Sequence, residues 1–289
     1  MSMKFLISLL LIVPLLASAQ QKTTGIHQLN IPPFVRQGDQ PSLGFQLFNT
    51  SKKDWTGTVH LQLIDSLQRH PVDGWFFNQQ GNQYFTVEPN KKEWIEFPIH
   101  IPFEFSKPTV WELRVKTGAD TLYKSGALRI TPWEYAAEAA TPDLDPASPV
   151  ITKKIYRRFT KNEQVKLELL AENATVLTGD TLQVEIELTG STSNKVILYE
   201  QWPAGTQPNM ARSLSTHTGG GRVLQLTDKE LKMEWVKTNQ SELKISYQLL
   251  ATYSGRFQIP PVKFSTSDST QPTIRSSYSS LIIEQRKHP

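Results

Sequence analysis

Hydrophobic and polar positions alternate with a period of two through most of the chain. The clearest stretch runs from Leu243 to Phe264. Leu243, Ile245, Tyr247, Leu249 and Ala251 fall on one side, with Lys244, Ser246, Gln248, Leu250 and Thr252 on the other. That is the pattern of a strand with one buried face. Tyr253-Ser254-Gly255 reads as a turn in which Gly255 can take positive φ. Arg256 to Ile259 predicts a second strand, so the stretch reads as a strand-turn-strand unit. Pro260-Pro261 has no N–H to give a ladder and marks an edge or a bend. Val262 and Phe264 then resume the alternation.

The same period predicts two modules. In residues 20–130, strands are expected over Ile26–Ile31, Leu43–Asn49, Thr56–Ile64, Tyr84–Val87, Trp94–Ile101, Val110–Val115 and Ser125–Ile130. In residues 164–286 they are expected over Val165–Leu170, Thr181–Leu188, Lys195–Tyr199, Val223–Leu226, Glu230–Val236, Leu243–Thr252 and Tyr278–Glu284. Short strands at this spacing, with turn residues between them, predict an all-β fold of two immunoglobulin-like sandwiches. Between them, 131–163 reads as a linker. WEYAAEAA (Trp133 to Ala140) allows a helical turn or two, and TPDLDPASP is too rich in proline for a regular element. Ile151 to Lys161 reads as an extended connector, with Lys153, Lys154, Arg157 and Arg158 as a solvated cluster. Met210 to Gly221 reads as a loop.

Composition adds an address. Met1 to Ala19 reads as a secretory signal peptide: Lys4, the apolar run Phe5 to Leu16, then Ala17-Ser18-Ala19 as cleavage site. The run is short for a membrane span. Cleavage after Ala19 leaves 289 − 19 = 270 residues and no transmembrane segment, placing the mature chain in the periplasm, at the cell surface or outside. The chain has no cysteine, so neither a lipid anchor nor disulfides can hold it, and each module must rely on core burial. The net charge of +4 is spread without a basic stripe, which argues against a nucleic-acid partner.

Candidate chemistry is thin. The six histidines (His27, His60, His70, His100, His217 and His288) show no metal-ligand spacing. No G-x-S-x-G elbow appears. Gly219-Gly220-Gly221 lacks the Lys-Ser/Thr of a phosphate loop and reads as a hairpin loop. Asp143 and Asp145 lack the oxygen-rich spacing of calcium loops. The sequons at Asn49, Asn173 and Asn239 matter only in a eukaryotic secretory route. Trp75-Phe76-Phe77 follows an Asp73-Gly74 turn and reads as a core strand after a hairpin, with an exposed sugar- or partner-binding patch as the rival reading. No catalytic, cofactor-binding or metal residue is assigned, and no cofactor is expected.

Several segments resemble the macroglobulin-like domains of the bacterial alpha-2-macroglobulin family. Pro33-Phe34-Val35-Arg36-Gln37-Gly38-Asp39 is similar to that family's P-R-F-L-R-E-G-D segment, and Phe45 to Asp65 to the hairpin after it. Leu177-Thr178-Gly179-Asp180, Val196 to Gly205 and the Leu243–Phe264 stretch resemble its last macroglobulin domain. The family commonly carries a helical thioester domain between these regions, its bond joining a cysteine to a glutamine. A chain without cysteine cannot make that bond, so covalent protease trapping does not carry over. The resemblance implies a non-enzymatic exported protein that binds a protein partner, by strand addition at a sandwich edge, or serves as a structural component. The alternative is a carbohydrate-binding accessory module on the cell envelope, using Trp75, Trp94 or Trp111 as exposed platforms.

Overall fold

The computed structural model describes residues 24–118, 120–133, 150–189, 195–209, 215–216, 221–236, 243–266, 273–274 and 279–286. The expected signal peptide, Asp143, Asp145, His217, His288, Asn239, Gly219, Gly220 and nearly all of the WEYAAEAA segment lie outside them. The first module carries β1 (Gly25–Asn30), β2 (Val35–Arg36), β3 (Gln40–Phe48), β4 (Trp55–Asp65), β5 (His70–Pro71), β6 (Asn82–Val87), β7 (Lys92–Pro98), β8 (Thr109–Thr117), β9 (Asp120–Leu128) and β10 (Ile130–Thr131). β1, β3 and β7 form one layer, and β5 and β6 with β4, β8 and β9 form the other. Leu43, Phe45 and Leu47 of β3 meet Val59, Leu61 and Leu63 of β4 and Trp111, Leu113 and Val115 of β8 in one buried cluster. The alternation of these strands is therefore the division between core and solvent.

The second module carries β11 (Val150–Lys161), β12 (Gln164–Leu169), β13 (Thr175–Leu177), β14 (Thr181–Thr189), β15 (Lys195–Gln201), β16 (Thr206–Pro208), β17 (Ser215–Thr216), β18 (Gly221–Leu226), β19 (Glu230–Val236), β20 (Leu243–Ala251), β21 (Gly255–Ile259), β22 (Lys263–Thr266), β23 (Thr273–Ile274) and β24 (Ser279–Glu284). One sheet runs β12-β11-β14-β20-β16, with β17 also on β20; a second runs β18-β19-β15-β22-β23; β21, β24 and β13 extend the β1-β3-β7 sheet of the first module, through the β3–β21 pairing. A second buried cluster collects Leu182, Val184, Ile186 and Leu188 of β14 with Leu243, Ile245, Tyr247 and Leu249 of β20, around Trp202 and Trp235. The architecture is all-β and immunoglobulin-like, twice over.

Two expectations change and one is refined. Ile151–Lys161 is extended, as expected, but it is no connector: it belongs to β11, which pairs with β14 from Val150↔Thr189 to Arg158↔Thr181. The stretch expected to be a linker thus ends in a strand of the second sandwich. Within it, Lys153 is not solvated, because its side chain is 6% exposed and its Nζ lies 2.7 Å from Glu200 Oε1. Lastly, the expected strand-turn-strand unit forms as β20 and β21, but its two strands do not pair with each other. β20 pairs with β14, whereas β21 pairs with β24 and β3, so Tyr253-Ser254-Gly255 carries the chain from one sheet to another. Pro260-Pro261 carries it to a third, the bend that prolines without N–H donors favour.

The modules repeat a joint. Val35-Arg36-Gln37-Gly38-Asp39 and Val176-Leu177-Thr178-Gly179-Asp180 both begin within a short strand paired in parallel with its module's last strand. In each, the aspartate carboxylate accepts the N–H three residues back, at 2.7 Å (Arg36) and 3.0 Å (Leu177). In each, the glycine takes positive φ, 86° and 90°, which a Gly tolerates without steric cost. The glycine N–H donates to Ile101 O in one and Ala251 O in the other, and those residues donate back to Asp39 O and Asp180 O.

Candidate partner-binding surface

The first copy of this joint faces the second module. Phe34 is buried within the second module's core cluster. Arg36, 1% exposed, donates from Nη1 to Trp202 O at 2.6 Å, and its guanidinium stands 5.0 Å from the Phe34 ring centre. Asp39 accepts the Gln258 N–H on Oδ1 at 2.8 Å. Beyond the end of β1, Gln40 and Pro41 of β3 pair with Arg256 and Gly255 of β21, and Ser42 N–H donates to Ser254 O. A backbone ladder, a buried cation and a buried carboxylate thus join the two sandwiches. Burial pushes the Asp39 carboxyl up to about 7, although the Arg36 and Gln258 N–H groups and the Arg36 guanidinium pull the other way.

Next to this seam the chain exposes aromatic side chains. Asp73–Phe76 forms a single 3-10 turn, not a core strand. Phe76 points inward against Phe105, ring centres 4.9 Å apart. Trp75 and Phe77 point out, 55% and 60% exposed, as does Phe103 at 54%. The turn is pinned: Asp73 Oδ1 accepts from Leu63 N and from Asn78 Nδ2, at 3.0 and 2.7 Å, and Asn78 Nδ2 also donates to Leu61 O. His100 N–H donates to Phe76 O, tying the 100–105 segment alongside. Phe77 lies over the His100 ring, centres 5.7 Å apart and planes 24° apart. Phe77 and His100 line a shallow groove that reaches Gln40 and, from the second module, Arg256. The Phe103 ring lies against the Gly38 turn, where a Cβ would come within 2.6 Å of it.

The other candidates disperse. Trp111 is buried and Trp94 half-buried, so Trp75 alone of the three tryptophans stands open. His27 lies by the Phe48 ring, His60 and His70 sit on β4 and β5, and His100 lies under Phe77. Among the described residues, no three His, Asp or Glu side chains converge as metal ligands, and no helix is long and apolar enough to cross a membrane. Sequence reasoning named Trp75 and Phe77 but missed Phe103 and the seam. The repeated Gly-Asp turn was the available signal for the seam.

A family model described as the BatD DUF11 like domain matches residues 170–281, less than half of the 289-residue chain. No curated protein matches. Among solved structures, the chain is similar to native alpha-2-macroglobulin from Escherichia coli, spanning domain MG7 to the C-terminus, at 12% identity and TM-score 0.36 over 80% of this chain and 33% of that one. It is also similar to a non-cellulosomal cohesin from the archaeon Archaeoglobus fulgidus, at 11% identity and TM-score 0.30 over 39% of this chain and 88% of that one. A cohesin module from a Clostridium perfringens family 33 glycoside hydrolase gives 9% identity and TM-score 0.27 over 46% and 99%.

Proposed function

We propose that this chain is an exported, non-enzymatic binding protein, built of BatD-like and macroglobulin-like modules, that presents the Trp75–Phe77–Phe103 ridge to a protein partner in the periplasm or at the cell surface. Phe77 carries the reading. It sits at φ 51°, a left-handed conformation that suits Gly or Asn and strains a bulky residue. It is also mostly exposed, so it gains little from burial. Neither backbone preference nor core packing calls for phenylalanine at that position. An exposed aromatic on a pinned turn beside a locked seam is what a partner-binding anchor requires. The sugar-binding alternative rests on Trp75 alone, since Trp111 is buried and Trp94 half-buried.

The test is a paired measurement on Phe77→Asn. Thermal melts should show stability unchanged or higher by roughly 1 kcal/mol, because the strain is relieved. Capture of partners from envelope extract, compared with wild type, should fall. Undiminished capture by Phe77→Asn and by Trp75→Ser would refute the ridge as the binding surface.

A further inference from the structure

The second module carries a part that the first lacks. In the first module four residues separate β1 from β2; in the second, the chain between the β14-paired part of β11 and β13 runs out as a hairpin. Beyond Arg158, β11 leaves β14 and pairs with β12 alone. Asn162 and Glu163 close the hairpin with φ of 52° and 62°, the two left-handed residues of a type I′ loop. All six residues of β12 are exposed. Val165, Leu167 and Leu169, each about half exposed, make an apolar row on one face, where alternation leads one to expect a core strand.

The backbone of β12 has a defined open side. Leu170 N–H donates to Ile155 O of β11. In an antiparallel ladder, alternate residues turn both polar groups to the same neighbour. Gln164, Lys166 and Glu168 therefore bond towards β11, and Val165, Leu167 and Leu169 direct their N–H and C=O groups outward at the sheet's end. An edge of this kind is a template for another strand.

Its sequence fits itself. Among two-fold antiparallel registers that join the outward groups, one centres on Leu167. It sets Leu167 against Leu167, Val165 against Leu169, and Lys166 against Glu168 twice. The adjacent registers centre on Lys166 or Glu168 and set like charge against like charge, which is unfavourable for directly opposed residues. The Leu167 register keeps the apolar row continuous on one face and the ion pairs on the other, where Glu168 already meets Arg157 at 2.6 Å. We propose that the β12 edge pairs with the β12 edge of a second copy of this chain, forming a two-fold dimer through a joined sheet centred on Leu167. The contact is small, so the dimer is weak and its population rises with protein concentration. It lies on the other module from the aromatic ridge and does not depend on that reading.

Sedimentation velocity over a concentration series tests it. Wild type should pass reversibly from monomer to dimer. Lys166→Glu alone, or Glu168→Lys alone, opposes like charges at two positions and should weaken dimerisation roughly tenfold or more. An equimolar mixture of the two variants should recover the dimer. One chain then carries acid at both positions and the other carries base at both, so every directly opposed pair is again of opposite sign. Leu167→Pro removes an outward N–H at the dyad without touching the β11 ladder, so it should abolish the dimer while melting temperature and circular dichroism stay as in wild type. A wild type that remains monomeric at every concentration, a dimer indifferent to Lys166→Glu, or a mixture that fails to recover would each overturn the proposal. A monomeric wild type whose capture of a foreign protein is lost in Leu167→Pro would assign the edge to a heterologous strand and overturn self-pairing.

Discussion

Asp39 sets the chemistry of the seam at the scale of one side chain. Its carboxyl is fully buried and accepts two backbone N–H groups, yet desolvation holds its pKa at about 7. The folded form therefore keeps its proton to a higher pH than the unfolded chain, where an aspartic acid titrates at about 3.9. Between those values the folded state binds more protons, so stability is greatest below about pH 4 and falls as pH rises to about 7. The loss is up to about 4 kcal/mol. Urea unfolding from pH 4 to 8 should show this fall in wild type, and Asp39→Asn should flatten it while lowering stability in the acid range, since an amide cannot accept both N–H groups. An identical pH profile in the variant would show that Asp39 does not titrate in this window. Little of this was legible in the sequence. Gly38-Asp39 reads as a turn from its residue types, but its neighbours come from Ile101 and Phe103 and, across the seam, from Gln258, 219 positions from Asp39. Trp75-Phe76-Phe77 failed for a related reason: three adjacent aromatics carry no alternation, and the 3-10 turn alone decides that Phe76 goes in and Phe77 out.

At the scale of elements, the alternation identified strands well and sheets poorly. β14 and β20 were legible because each has one buried face. β21 was legible as a strand but not as a partner of β3, since period two reports which side is buried and not which edge is paired. β11 was read as a solvated connector because its lysines and arginines look like a linker, whereas a buried acid takes up one of them. Lys153 Nζ contacts Glu200 Oε1 and donates to Pro260 O at 3.0 Å, and Tyr247 Oη donates to Glu200 Oε1 at 2.5 Å. The trio ties β11, β15 and β20 together, and burial together with the Glu200 charge holds the Tyr247 hydroxyl well above its ordinary pKa. Lys153→Met leaves the Glu200 carboxylate buried and uncompensated, which should cost about 3–5 kcal/mol. The triple replacement Lys153→Met, Glu200→Leu, Tyr247→Phe removes charge and partners together and should regain most of that loss. Chemical denaturation of both variants measures the difference, and a triple variant no more stable than Lys153→Met would show that packing, not the orphaned charge, sets the cost.

For the whole molecule, the question is whether two sandwiches behave as one body. Tandem modules joined by a flexible segment unfold independently, each in its own transition. Here the join is made of core and ladder: Phe34 sits in the other module's core, Arg36 and Asp39 bond across, and the start of β3 pairs antiparallel with β21. Such contacts are lost when either module unfolds, so each module stabilises the other. Gly255 is the place to break the coupling. Its φ is 138°, and a Cβ there would stand 2.6 Å from Gln40 O and from the Pro41 Cα, both backbone atoms that cannot move aside without opening the β3–β21 pairing. Gly255→Val therefore strikes the seam while leaving the cores of both modules intact. Scanning calorimetry of wild type should give one transition whose calorimetric and van't Hoff enthalpies agree. Gly255→Val should split it into two, each with about half the enthalpy, since unfolding enthalpy scales with the number of residues that melt together. Two transitions in wild type would mean that the ladder and the buried pair do not couple the modules.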